Sequence, residues 1–132
     1  DQVDTSPLPN VHAVGRLKSS DTAALLMDSD LFCLPTRSEG FSTSLLEAAA
    51  CGTASLVPDV GGAREVAPDA SFGFVTDDVD INEYSSILRR ASEGEFDLSA
   101  MGLRCRARLE KLLSWTDVAR CVVEACGLND FA

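Results

Sequence analysis

A short apolar run, residues 31–34 (LFCL), is stopped by Pro35 and leads through a glycine-containing loop into a helix-forming segment that closes at Gly52. A second apolar run, residues 54–57 (ASLV), follows at once. This order constrains the fold more than any other feature of the 132-residue chain. Unbroken apolar runs suit strands covered on both faces. Proline cannot donate to a ladder and ends the first run, while glycine suits the left-handed cap that ends the helix. A strand, a helix and a second strand joined this closely imply parallel pairing with a right-handed crossover. The same reading continues outward. Residues 11–14 (VHAV) and 72–75 (FGFV) read as further short strands, so the expected fold is α/β, a parallel sheet of about four strands with flanking helices. Helices are expected from Ser20-Asp21 to Met27, up to Val66 after a Val60-Gly61-Gly62 turn, and over 81–92, 98–113 and 116–126, giving a helical C-terminal third. Residues 1–10, with Pro7 and Pro9, read as a linker, and 11–128 as one domain.

The loop and helix between the two central runs carry two carboxylates, Glu39 and Glu47, eight residues apart. Around Glu47 the sequence reads Leu45, Leu46, Ala48, Ala49, Ala50 and Cys51, the pattern of a helix buried on nearly all sides. A carboxylate there has to be paired or hydrogen-bonded, because desolvating an unpaired charge is costly. The strand-to-helix turn lies on the carboxyl edge of a parallel sheet, where ligands bind. Two acceptors converging on that edge suit a ligand rich in hydroxyl groups, such as a sugar or a ribose. Structural readings stand beside this one. Residues 44–47 (SLLE) match a capping box, with Ser44 capping the helix and Glu47 reaching back to the cap amide. Glu39 reads equally as a solvated loop residue.

Residues 35–41 (PTRSEGF) followed by 45–48 (LLEA) resemble the donor-site signature of retaining glycosyltransferases, the two-domain GT-B enzymes of glycosyltransferase family 4. That family is marked by two glutamates with seven residues between them. Residues 11–15 (VHAVG), 31–35 (LFCLP), 51–54 (CGTA) and 60–65 (VGGARE) fall in the family's order, and Ser114-Trp115 resembles its closing helix. The similarity runs from about Val11 to about Leu128. It implies a Rossmann-like sheet, part of a GT-B C-terminal domain, that binds a nucleotide-sugar donor for transfer of the sugar to an acceptor hydroxyl with retention. It implies no cofactor and no strictly required metal. By the same resemblance Glu39, the catalytic candidate, receives the hydroxyls of the donor sugar, and Glu47 receives the ribose. Gly40, Phe41 and Ser42 would present backbone amides to the sugar and diphosphate. The chemistry fits, since a carboxylate accepts two hydroxyls at once and a glycine at a helix start allows anions to approach closely. Ser42 stands where family members often have glycine. Gly15 and Arg16 are implied to lie near the base, and Gly61 and Gly62 to line the donor pocket. Read from the residues alone, Phe41 serves equally as a core anchor, Arg16 as a surface residue and Gly61-Gly62 as a tight turn needing positive φ. Glu65 reads as a local cap or ion-pair partner.

The family neutralises its leaving diphosphate with an Arg and a Lys after the first strand of this domain, and no such pair precedes Val11. The chain therefore reads as the C-terminal part of a longer enzyme, partnered by that enzyme's N-terminal domain and holding nucleotide weakly by itself. The family's sheet order leaves strand 11–14 two options: direct pairing with 31–34, or an exposed edge covered by a second copy in a homodimer.

A formal net charge of −10 argues against a nucleic-acid or anionic-membrane surface, which needs clustered cations. No apolar run approaches the roughly 18 residues of a membrane span, and residues 1–15 lack the regions of a signal peptide. The expectation is a cytoplasmic protein with at most peripheral membrane contact. Cys33, Cys51, Cys105, Cys121 and Cys126 are odd in number and lack C-x-x-C spacing, which suits buried, reduced thiols better than disulfides or zinc. His12, the only histidine, reads as a partly buried strand residue, which leaves a histidine metal site or a Ser-His-Asp triad without its parts. Asp77, Asp78 and Asp80 read as a solvated loop entering a helix and not as metal ligands. Two other functions compete: a non-catalytic binding or assembly module of the same family, and a flavodoxin-like or receiver-like signalling domain. The latter needs an aspartate cluster at strand ends, which 34–35 (LP) and 57–59 (VPD) do not provide.

Overall fold

The computed structural model describes residues 8–112 and 115–126. In chain order the elements are α1 (Ser19–Met27), β1 (Leu31–Cys33), α2 (Thr43–Cys51), β2 (Ala54–Pro58), α3 (Ala63–Val66), β3 (Phe74–Thr76), α4 (Ile81–Ser92), α5 (Leu98–Leu112) and α6 (Trp115–Ala125). The three strands form one parallel sheet in the order β1-β2-β3. Leu31 lies opposite Ala54, and Leu56 lies between Cys33 and Phe74. All five residues of β2 are buried, as its unbroken apolar run requires of a central strand.

Local signals set the ends of α2. Ser42 is its N-cap, with its Oγ accepting from the Leu45 amide at 3.4 Å, and Gly52 closes it at φ +79°. The capping box on Ser44 and Glu47 does not form. Asp80 caps α4 by accepting from the Asn82 and Glu83 amides at 2.7 and 2.9 Å.

The main core lies on one face of the sheet, where Leu45 and Ala49 of α2, Ala63 and Val66 of α3 and Cys105 and Leu109 of α5 meet Val57. Successive right-handed crossovers stepping in one direction produce this placement of α2 and α3 on a shared face. Helix α5 comes closest at Gly102, whose absent Cβ would lie 1.9 Å from the Gly52 carbonyl oxygen. Further hydrogen bonds secure these contacts. The Cys105 thiol donates to the Phe72 carbonyl at 3.0 Å, and the Thr53 hydroxyl ties α1 to the end of α2 through the Leu26 carbonyl at 2.7 Å. On the opposite face Phe74 meets Phe96 edge-on at 4.7 Å, and α4 buries Tyr84.

Several expectations are corrected. The sheet has three strands, not four: residues 11–14 form no strand, and Val11 and Val14 are 42% and 56% exposed. An extended segment becomes a strand only when a ladder takes up its backbone groups, and this one makes none with β1. His12 is accordingly an exposed loop residue. Cys33 is exposed because β1 is an edge strand, while Cys105 is buried and Cys51 partly so. The four cysteines at 33, 51, 105 and 126 are free thiols. Most of the 1–10 linker and Ser114 fall outside the described residues. No helix among the described residues is long and apolar enough to cross a membrane.

Candidate functional site

The carboxyl ends of β1 and β2 feed two loops that meet. Beyond β1 the chain turns at Thr36, whose hydroxyl donates to the Ser38 carbonyl at 3.2 Å, and presents Glu39, Gly40 and Phe41 before the Ser42 cap. Beyond β2 it turns through Val60 into Gly61 and Gly62, at φ +54° and +76°. These two glycines are required twice over. Their backbone is left-handed, and their α-carbons press on the first loop. A Cβ at Gly61 would lie 2.7 Å from the Glu39 Cβ and 2.9 Å from the Gly40 carbonyl oxygen. At Gly62 it would lie 2.5 Å from the Phe41 ring. The tight-turn reading is therefore correct but incomplete, since the turn also sets the position of the glutamate loop.

Between the loops lies a notch bounded by Thr36, Glu39, Ser42, Pro58, Val60 and Ala63. It is too narrow to admit water, so a ligand here would rest on the rim. Glu39 and Gly40 are exposed on that rim, and a Cβ at Gly40 would meet nothing within 4 Å. Phe41 is 43% exposed and leans on Gly62, so it is not a core anchor. Ser42 is buried as the cap.

Glu47 differs from expectation. Helix α2 is not buried on nearly all sides: Thr43, Glu47 and Ala50, spaced at helical intervals, are exposed together. Small Ala48 and Ala49 take the buried face, and Glu47 stands in solvent without needing a partner. It does not line the notch. Gly15 and Arg16 belong to an exposed segment next to α1, where Val14 and Leu17 flank a groove with Ala24 and Leu25.

The sequence reading passed over one cation at this edge. Arg64 donates to Asp59 at 2.5 Å and to Asp77 at 3.3 Å, bridging the loops after β2 and β3. Its hydrogen bond to Asp59 pushes the guanidinium pKa above its ordinary value. The acidic surroundings on both sides of Arg64 were visible in the sequence, but their convergence across two loops was not. Glu65 neither caps nor pairs through its side chain among the described residues, and instead its carbonyl accepts from Arg108 at 2.8 Å. No group of three or more metal-ligating side chains occurs among the described residues.

A family model described as glycosyl transferases group 1 matches residues 4–108. The chain belongs to that family. The resemblance to GT-B glycosyltransferases of family 4 is thus correct at the level of the family. Among related proteins, the MMP alpha-(1->4)-mannosyltransferase of Mycolicibacterium hassiacum is 32% identical over 110 residues, 83% of this chain and 27% of its own length. The GDP-mannose-dependent monoacylated alpha-(1-6)-phosphatidylinositol monomannoside mannosyltransferase of Corynebacterium glutamicum is 33% identical over 113 residues, 80% of this chain and 29% of its own. The N,N'-diacetylbacillosaminyl-diphospho-undecaprenol alpha-1,3-N-acetylgalactosaminyltransferase of Campylobacter jejuni is 44% identical over 63 residues, 48% of this chain and 16% of its own. This group 1 chain therefore spans less than a third of the length of each of these relatives.

Proposed function

We propose that this chain is the donor-binding part of a retaining glycosyltransferase, which moves a sugar from a nucleotide carrier to an acceptor hydroxyl. One observation carries the reading: in a group 1 chain, Glu39, Gly40 and Phe41 are pressed into place by Gly61 and Gly62 at the carboxyl edge of a parallel sheet. Glu39 accepts the hydroxyls of the donor sugar on the rim of the closed notch. The free space at the Cβ position of Gly40 lets the donor approach the backbone, and the first-turn amides of α2 face its diphosphate. Glu47, one turn further along the exposed side of α2, takes the ribose hydroxyls of the nucleotide. Gly15 and Arg16 reach the base once the rest of the enzyme is in place. One relative is named as GDP-mannose-dependent, which makes GDP-mannose the first donor to test.

The deciding experiment is to make Glu39→Ala and Glu47→Ala in the full-length enzyme. Each removes a charge-assisted contact, worth about 1.5–3 kcal/mol, so turnover should fall roughly 10- to 100-fold. Melting temperatures should hold, because both side chains are exposed. Unchanged turnover in both variants would remove the donor-site assignment, whereas a parent enzyme without turnover would favour the non-catalytic binding module.

A further inference from the structure

The cations of α4 and α5 divide into two groups. Arg89, Arg90 and Arg106 are each paired with a carboxylate, namely Glu93, Glu95 and Glu110. Arg104, Arg108 and Lys111 have no carboxylate partner among the described residues, although the whole chain carries a net charge of −10. Their spacing of four and three residues puts them along one side of α5. All three border a single open cavity of about 390 Å³, floored by Phe72 and Ala107. The arginines are anchored by one nitrogen each. Arg104 Nε donates to the Ser71 carbonyl at 2.6 Å, and Arg108 Nε to the Glu65 carbonyl at 2.8 Å. Arg108 also lies over the Phe72 ring, 5.9 Å from its centroid. Among the described residues both guanidiniums thus keep their terminal NH2 groups uncommitted while their positions are held by the loop on either side of Phe72. The Asp69 carboxylate nearby accepts from the Ser71 amide at 2.8 Å. Its bonds to Ser71, with a smaller contribution from the charges of Arg104 and Arg108, hold its pKa below the ordinary value. It thus offsets part of their charge without a salt bridge to either among the described residues.

We propose that this cavity is a second binding site, distinct from the donor edge, that takes the phosphate group of a phosphorylated ligand. Three cations around one concavity can meet three acceptor oxygens and a charge near −2, which a single carboxylate would leave partly unmet. Guanidiniums restrained at Nε lose less freedom on binding than free ones do, and their forked donors match phosphate geometry. The proposal does not depend on the donor-site reading. The Arg64 cluster, by contrast, is already neutralised by Asp59 and Asp77 and has no charge to offer.

The test titrates the 132-residue chain with inorganic phosphate at constant ionic strength, with acetate as the charge control, and follows amide shifts by NMR. In parallel, the chain is floated with phosphatidylcholine vesicles with and without phosphatidic acid. Saturable phosphate binding is expected, with shifts centred on residues 104–111 and Kd raised about tenfold by either Lys111→Ala or Arg104→Gln. Arg106→Gln, which only breaks the pair with Glu110, should bind as the parent does. Lys111 has no partner among the described residues to lose, so its variant remains informative even if Arg104→Gln loosens the Ser71 loop. Phosphate binding without flotation assigns the site to soluble phosphorylated ligands, and flotation on phosphatidic acid assigns it to lipid headgroups. Binding of neither, equal binding of acetate, or unaltered binding by both variants overturns the proposal.

Discussion

Gly102→Ala sets two effects of opposite sign against each other inside α5. Alanine is the better helix former by about 1 kcal/mol, so propensity alone predicts a more stable protein. The tertiary contact predicts the reverse. The new methyl carbon would lie 1.9 Å from the Gly52 carbonyl oxygen, 2.5 Å from its carbon and 2.9 Å from the Ala54 nitrogen, where ordinary contact begins near 3.4 Å. All three atoms are backbone, in the turn that ends α2 and starts the central strand, so no flexible side chain can move aside. Helix α5 must lift by more than an ångström. It buries Met101, Cys105 and Leu109 against that layer, each worth about 1.5–3 kcal/mol when fully covered. A gap of this size forfeits roughly a quarter to a half of such contacts, and forced overpacking adds about 1–3 kcal/mol of strain. After the propensity gain is offset, the net loss is about 1–6 kcal/mol, a fall in Tm on the order of 10 °C. Urea and thermal unfolding of the chain would measure it, with the exposed Ala107→Gly as a helix-propensity control costing about 1 kcal/mol. A Gly102→Ala protein as stable as the parent, or more so, would refute the close packing of α5 on the α2–β2 turn.

Two further outcomes test the site and the core. Gly15 and Gly61 are both left-handed, but a Cβ at Gly15 meets nothing within 4 Å. Gly15→Ala should therefore cost only about 1–2 kcal/mol of backbone strain. Gly61→Ala should lose about 1–3 kcal/mol more in urea unfolding because it also drives the Glu39 loop outward. Equal losses would show that the two loops are not packed as described. Burial pushes the Cys105 thiol up to about 11 from an ordinary 9.0. The unfolded chain thus releases this proton first, so the contribution of Cys105 is complete below about pH 9 and declines as pH rises through about 11. Urea midpoints across the alkaline range should show that decline in the parent and a shallower one in Cys105→Ala, and identical slopes would exclude it.

The central strand, helix and strand were legible from local chemistry alone. Pro35 cannot continue a ladder, Gly52 suits the left-handed cap, and residues 54–57 are apolar because β2 is covered on both sides. These determinants act within a few residues of where they stand, so a linear reading captures them, and the Glu39 and Glu47 segment through which the chain resembles its family is equally local. Other features depended on what came to lie alongside. Residues 11–14 have strand composition but no ladder, because pairing is a property of two segments and not of one. Cys33 is exposed because its strand lies at an edge, a fact about sheet order. The run of small and apolar residues around Glu47 suggested burial all round. Only the packing of α2 on α5 and β2 decided which side would be covered, leaving Glu47 in solvent. The site itself was assembled the same way. Glu39 and Gly61 are 22 positions apart, and it is the parallel pairing of β1 with β2 that brings their loops to one edge and presses them together.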